Sequence, residues 1–439
     1  YEMLRSLVGS EMCIRDRFQR RCVSWVSGTG GHQNGLTVCS LPKQNLVTST
    51  KKNPNNHLIS LKHAKHEKGA VLASSMDPSS QFTLPRTGHV MANRSVLAAM
   101  TNKQSNEDGT LSDEEIKWLV RRAKDGFAIT TTAAANVTED GRGWDGEMGV
   151  WGDHQLPGLT DMATQLKATG TLSLAQIFHG GMRAPQSLNQ VQPVSASENT
   201  EAGMDGLYTR ALTHDEVLEM IQSFTDAALR CQKAGFDGVE LHGAHSYLIC
   251  QFLGSITNRR DDVWGGDLLG RSKFLRDMIT SVRQATGPDF ILAVRISPII
   301  EKAGIFLHES LELAGILCEM DIDMLHISCW DVFQGVEGDE DGPSLTKRFD
   351  DVIPAHIPLL STGAVWSSID AEWLMDEGAD LVGVARVAIA HPDWPMHLGD
   401  PDYSPERPPF SEQHLLDADL SPVFVEYMKR WKDFVVGGN

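Results

Sequence analysis

His242, His245 and Tyr247 fall within the six-residue stretch His242-Gly-Ala-His245-Ser-Tyr247, directly after the apolar run Gly238-Val-Glu-Leu241. Two imidazoles can hold a carbonyl or nitro oxygen by hydrogen bonds. A phenol, with an ordinary pKa of about 10, keeps its proton at neutral pH and can deliver it. The trio suits the polarisation and protonation of an electron-poor alkene. The same i,i+3 imidazole pair could ligate zinc, but no acidic or cysteine ligand stands at matching spacing.

For these side chains to converge, the loop that carries them must leave a strand, and other strand ends must face the same place. From about residue 90 the chain alternates strand-like and helix-like segments. The strand candidates are 95–100, 127–133, 173–178, 238–241, 290–296, 324–328, 358–361 and 381–385. Ser112 with Glu115, and Thr213 with Glu216, each precede an apolar helical run and read as capping boxes. Gly126 and Gly235 stand where those helices should stop. The acidic, glycine-containing segment 330–351 reads as a long loop. Eight β/α repeats predict a (β/α)8 TIM barrel over residues 81–439, a single catalytic domain with a C-terminal closing helix. A doubly wound open sheet would show an early G-x-G-x-x-G turn, and none is present.

In such a barrel the chemistry gathers where strands end at their C-terminal side. Those ends carry Thr101 after the first strand, Gln176 and His179 at the third, and the His242/His245/Tyr247 group at the fourth. Arg295 lies in the fifth, Ser328 ends the sixth, Gly363 follows the seventh and Arg386 the eighth. A guanidinium inside Ile291-Leu-Ala-Val-Arg-Ile-Ser297 is costly to bury unless it has a partner or a task. Gln176 also reads as a barrel-core amide, and His179 as either structural or catalytic. Cys250 reads as an apolar helix residue.

The chain resembles the old yellow enzyme family, the FMN-dependent ene-reductases, over roughly residues 85 to 439. The resemblance is carried by Gln176-Ile-Phe-His-Gly-Gly181, by Phe236 to Leu248, by Asn258-Arg-Arg-Asp-Asp262 with Gly265-Gly266, by Val294-Arg295-Ile-Ser297 and by Gly383-Val-Ala-Arg386. It implies FMN as cofactor and NADH or NADPH as reductant, with the C=C bond of an α,β-unsaturated carbonyl or nitro compound reduced in ping-pong fashion. It implies Tyr247 as proton donor and His242 and His245 as ligands of the substrate oxygen. It further implies that Thr101, Ala134, Gln176, Arg295 and Ser328 contact the flavin, and that Gly363, Ala385 and Arg386 hold its phosphate. Ala385 replaces a usual glycine and could crowd that phosphate. Trp264 stands where tyrosine is common, which puts a helix contact or the pocket wall in question. The segment after Thr131 aligns only to within a couple of residues. Alternative readings are an amine or dienoyl-thioester oxidoreductase on the same barrel, or a flavin-binding protein without catalysis.

Composition narrows the partners. Lys and Arg number 39 against 58 Asp and Glu, a net charge of −19. Residues 1–80 hold 11 basic and 5 acidic residues, the remainder 28 and 53. An acidic body argues against nucleic acid, and no apolar stretch reaches the roughly 20 residues of a membrane span. The expected partner is a small electron-poor alkene, with a homo-oligomer left open. Seven cysteines without a C-x-x-C pattern favour reduced thiols and a cytoplasmic setting. Residues 1–80, rich in Ser, Asn, Thr and Lys, read as a disordered or artefactual extension; an organelle-targeting remnant near Phe18–Cys22 is the alternative.

Overall fold

A computed structural model describes residues 76–200 and 208–438. Residues 1–75 of the expected extension lie outside the described residues. Eight parallel strands close into a barrel. They are β1 (Ser95–Leu97), β2 (Ile129–Asn136), β3 (Leu172–Phe178), β4 (Gly238–Gly243), β5 (Ile291–Ile296), β6 (Met324–Ser328), β7 (Leu359–Thr362) and β8 (Leu381–Val384). Each pairs with the next, and β8 pairs with β1. Every strand predicted from its apolar run is present, with ends shifted by at most three residues. The runs are legible because barrel strands are covered on both faces, so apolar residues need not alternate with polar ones.

Helices pack around the outside: α1 (Asp113–Lys124), α2 (Leu156–Lys167), α3 (His214–Ala234), α4 (Leu268–Thr286), α5 (Leu307–Cys318), α6 (Leu345–Asp350) and α7 (Ser368–Asp376). On α3, Val217, Met220, Ile221, Phe224, Ala228 and Cys231 form one buried face, as their spacing demands. Gly235 ends α3 at φ +101°, and its N–H reaches back to the Cys231 and Gln232 carbonyls. The expected closing helix is the short Pro422–Met428, whose Phe424 meets Trp118 of α1 edge to face at 5.3 Å. Segment 330–351 is loop only in its first part, since α6 occupies its end. Among the described residues, no helix is long and apolar enough to cross a membrane.

The two expected capping boxes differ. Thr213 accepts from the Glu216 N–H while the Glu216 carboxylate accepts from the Thr213 N–H, a complete box. Ser112 caps α1 by accepting from the Glu115 N–H, but the Glu115 carboxylate turns inward instead. It accepts from Asn102 Nδ2 at 2.9 Å and from the Ser105 hydroxyl. Glu115 is thus a buried tie on the loop that follows β1, and burial pushes its carboxyl above the usual range.

The barrel interior is split along its axis. Toward the N-terminal ends of the strands, Val96, Ile129, Leu172, Leu174, Ile291 and Met324 make an apolar plug. The antiparallel hairpin Phe82–Thr83/Val90–Met91 adds Leu84 and Met91 to it. Toward the C-terminal ends the buried residues become Gln176, Glu240, His242, Arg295, His326, Ser328 and Thr362. Inside the barrel, apolar packing is thereby gathered at one end and polar groups at the other.

Removing the complete box tests the register of α3. Thr213→Ala should cost about 1 kcal/mol, the usual value of an N-cap side chain. A urea titration should show a lower midpoint with an unchanged slope.

Candidate active site

Strand register brings the polar groups together. Gln176 on β3 lies opposite Glu240 on β4, and His242 on β4 opposite Arg295 on β5. Arg295 in turn lies opposite His326 on β6. Ala134 comes into line with Gln176 because β2 carries a bulge between Thr131 and Ala134. That extra residue explains why the sequence could be matched there only to within a couple of positions. Thr132 at the bulge accepts from the Gln176 backbone N–H at 3.2 Å.

One cavity is lined by Ala99, Met100, Thr101, Ala134, Trp144, Gln176, His242, His245, Tyr247 and Arg295. It brings together seven of the eleven residues predicted from sequence: Thr101, Ala134, Gln176, Arg295, His242, His245 and Tyr247. Ser328 stands one bond behind, within 2.7 Å of His245 Nε2 and accepting from Arg295 Nη2 at 3.0 Å. Gly363, Ala385 and Arg386 are not among its lining residues. They follow β7 and β8 at the same end of the barrel, Ala385 and Arg386 opening the short helix Arg386–Ala390. A Cβ on Gly363 would come within 2.2 Å of the Cys329 carbonyl oxygen, so the chain can pass there only as glycine.

The imidazoles are neutral. Burial pushes His242 and His245 well below the usual histidine range, and the Arg295 guanidinium pushes the same way. Each can therefore donate one N–H and accept at the other nitrogen. Their ring centroids are 5.0 Å apart, and Tyr247 lies 5.0 Å from His242. His242 Nδ1 is buried with no hydrogen-bond partner. Tyr247 is 3% exposed, with Phe178 edge-on at 4.9 Å and Trp144 tilted at 6.4 Å. His245 and Ser246 both hold left-handed backbones, φ +58° and +61°. Two successive non-glycine residues there are strained, and such strain gathers at functional sites. The His245 N–H donates to Ser297 Oγ at 3.1 Å and fixes the turn.

Behind the cavity runs a chain of hydrogen bonds that sequence reading missed. Gln176 Nε2 donates to Glu240 Oε1 at 2.7 Å. Glu240 Oε2 is 2.6 Å from His326 Nδ1, and His326 Nε2 is 2.7 Å from Thr362 Oγ1. Burial works to raise the Glu240 carboxyl, but His326 and Arg295 outweigh it and hold it down at about 2. The signal for both residues was a charge-bearing side chain inside an apolar strand, the pattern that singled out Arg295.

His179 proves to be a clamp. Its Nδ1 accepts from the Gly181 N–H at 2.9 Å, and burial holds its pKa at about 4 against the pull of Asp140. Trp264 settles as a helix contact: its indole N–H donates to His214 Nδ1 at 2.9 Å, away from the cavity. Cys250 is buried, its thiol pushed up to about 12, which suits an inert packing residue.

The donor set fits the isoalloxazine of a flavin. Thr101, Gln176 and Arg295 line the cavity with a hydroxyl, an amide and a fixed cation. The same lining includes His242, whose buried Nδ1 has no partner.

Comparison with known proteins agrees. Residues 87–401 match the NADH:flavin oxidoreductase / NADH oxidase family. A probable NADH-dependent flavin oxidoreductase of Bacillus subtilis is 34% identical over 321 residues, 71% of this chain and 85% of that protein. NADH:fumarate oxidoreductase of Klebsiella pneumoniae is 35% identical over 328 residues, 72% of this chain but 35% of that much longer protein. The structure of an old yellow enzyme homologue from Zymomonas mobilis superposes with a TM-score of 0.68 at 25% identity, covering 80% of this chain and 99% of that one.

The His179 clamp carries a pH signature. Between pH ~6.5, where an ordinary histidine titrates, and about 4, the unfolded chain binds a proton that the folded chain refuses. Stability from this site is therefore full above ~6.5 and falls as the pH drops toward about 4. His179→Asn lacks that titration. The stability gap between parent and variant, read from urea midpoints, should narrow steadily as the pH falls through this window.

Proposed function

The chain belongs to the NADH:flavin oxidoreductase / NADH oxidase family, the old yellow enzyme-like flavoproteins, and we propose that it uses NADH or NADPH to reduce the C=C bond of α,β-unsaturated carbonyl or nitro compounds. The observation that carries this reading is the convergence of two neutral imidazoles, a buried phenol and a buried guanidinium in one cavity. FMN, the family's flavin, would supply hydride transfer between nicotinamide and alkene when bound. Thr101, Ala134, Gln176, Arg295 and Ser328 would hold its ring system, and Gly363, Ala385 and Arg386 its phosphate.

The chain's own residues do the rest. His242 and His245 each donate a neutral N–H to the carbonyl or nitro oxygen. Those bonds strengthen as negative charge builds on that oxygen, so they favour the transition state over the bound substrate. Imidazolium ions would bind anions in the resting site, and the burial and Arg295 that keep both rings neutral remove that competition. Tyr247 delivers its proton to the α-carbon. Arg295 offers a permanent cation that needs no proton of its own. Reductant and alkene would use the same pocket in turn, which predicts ping-pong kinetics.

The test is the visible spectrum of the purified protein with FMN. Anaerobic NADPH should bleach the flavin band and cyclohexenone should restore it; a band that bleaches but does not return with any enone or nitroalkene would refute alkene reduction. Tyr247→Phe should spare bleaching and slow recolouring by about 10²–10⁴-fold, the usual worth of a positioned acid. His242→Ala with His245→Ala should abolish the long-wavelength band that a bound phenol gives, as read by absorbance titration.

A further inference from the structure

We propose that Arg183 is a positioning residue for proton delivery, holding a fixed cation against Tyr247 to stabilise the phenolate left behind. The inference rests on the reading of Tyr247 as proton donor. The Arg183 guanidinium carbon lies 4.9 Å from the centroid of the Tyr247 ring. Its Nη1 donates to the His245 carbonyl oxygen at 2.8 Å, so the cation is tethered to the loop that carries both the phenol and an imidazole.

The turn that presents Arg183 is built for rigidity. It spans Gly181–Arg183, just past the end of β3. His179 Nδ1 accepts from the Gly181 N–H, and Gln251 Oε1 accepts from the Met182 N–H at 3.0 Å. Gly181 sits at φ +59°, and a Cβ there would meet Gln251 Oε1 at 2.4 Å. The turn can therefore close on Gln251 only with glycine at this point. The Leu248 N–H donates to the His179 carbonyl at 3.0 Å and ties the same turn to the residue after Tyr247. Cation and phenol are thus held by one network rather than by two independent loops.

The surroundings leave the task to cations. Around Tyr247 stand Phe178 and Trp144, which carry no charge, and His242, which is neutral. His245, also neutral, and Arg295 share the cavity. Cys250 follows on the next helix with its thiol protonated. Arg295 lines the same cavity, and Arg183 is the cation over the phenol's ring. When the proton leaves, the O–H bond breaks and its electron pair stays on the phenolate oxygen. A C–H bond forms at the α-carbon with the electron pair of the substrate's enolate or nitronate. Water then restores the phenol proton. A cation beside the ring lowers the energy of that phenolate in a site from which water is largely excluded.

Rapid-mixing measurements of the two half-reactions across pH test this. Arg183→Gln should slow alkene reduction about tenfold more than it slows flavin reduction, and Arg183→Lys should recover part of that loss. The alkaline fall in the alkene-reduction rate should move to higher pH in Arg183→Gln, because the phenol then holds its proton more tightly. Ultraviolet difference titration of the protein against Tyr247→Phe should show the same upward movement without turnover. An unmoved alkaline limb overturns the inference. So does a loss confined to the KM of carboxylate-bearing alkenes, which would make Arg183 an anion receptor. If Tyr247→Phe itself leaves alkene reduction and its alkaline limb intact, the proton-donor reading fails first; if it abolishes the limb while Arg183→Gln does not move it, only the role of Arg183 fails.

Discussion

A guanidinium sealed inside a closed barrel dictates what surrounds it. Arg295 is fully buried, at 0% exposure, on a strand otherwise made of Ile, Leu, Ala and Val. Removing such an ion from water costs several kcal/mol even after relaxation, and the loss is recovered only by well-aimed partners. The neighbouring strands supply them. Ser328 and the Ala99 carbonyl accept from its two terminal nitrogens. The Glu240 carboxylate on the adjacent strand balances its charge, itself held ionised between His326 and Gln176. Once that cation is fixed, the imidazoles beside it cannot easily acquire a charge of their own. Burial is the larger cause of their neutrality, and the cation on the fifth strand adds to it.

This constraint also explains why the barrel is divided along its axis. A polar upper layer of this size contributes little to stability by itself, since well-packed apolar side chains would do as well or better. The lower plug of Val96, Ile129, Leu172, Leu174, Ile291 and Met324, sealed by the hairpin from residue 82 to 91, provides the cohesion that the upper layer lacks. The backbone strain at His245 and Ser246 becomes tolerable on the same ground. Ser297, Arg183 and the helix beginning at Leu248 grip that turn from three sides. The site is rigid because the scaffold beneath it is stable enough to hold strained loops in place.

The sequence exposed the barrel readily, because parallel strands buried on both faces are unbroken apolar runs and because the α3 capping box is complete. It exposed Arg295 by the same logic, as a charge where charge is expensive. Glu240 and His326 carried the identical signal in Gly-Val-Glu-Leu and Met-Leu-His-Ile, yet each reads alone as a satisfied core residue, and only the strand register makes them one network. Glu115 misled because the capping-box pattern specifies residue types and not the direction of a side chain; a buried asparagine and serine from the preceding loop claimed its carboxylate. Arg183 was illegible for a different reason. Its place over Tyr247 depends on a contact across more than sixty positions of chain and on a left-handed glycine, and neither leaves a periodic trace.

The hydrogen-bond pattern around Ser328 shows how far a fixed cation can set the chemistry of its neighbours. A guanidinium only donates, so Ser328 Oγ must accept from Arg295 Nη2. The same hydroxyl lies 2.7 Å from His245 Nε2, so the partner of the cation also orients that imidazole. His242 completes the logic from the other side, since its buried Nδ1 has no partner within the protein. An oxygen entering this cavity meets imidazoles whose charge and, for His245, orientation are influenced by residues on other strands. On the proposed reaction, such a site favours an acceptor that becomes more negative as reaction proceeds. That preference is written in the donors' orientation and not in any net charge they carry.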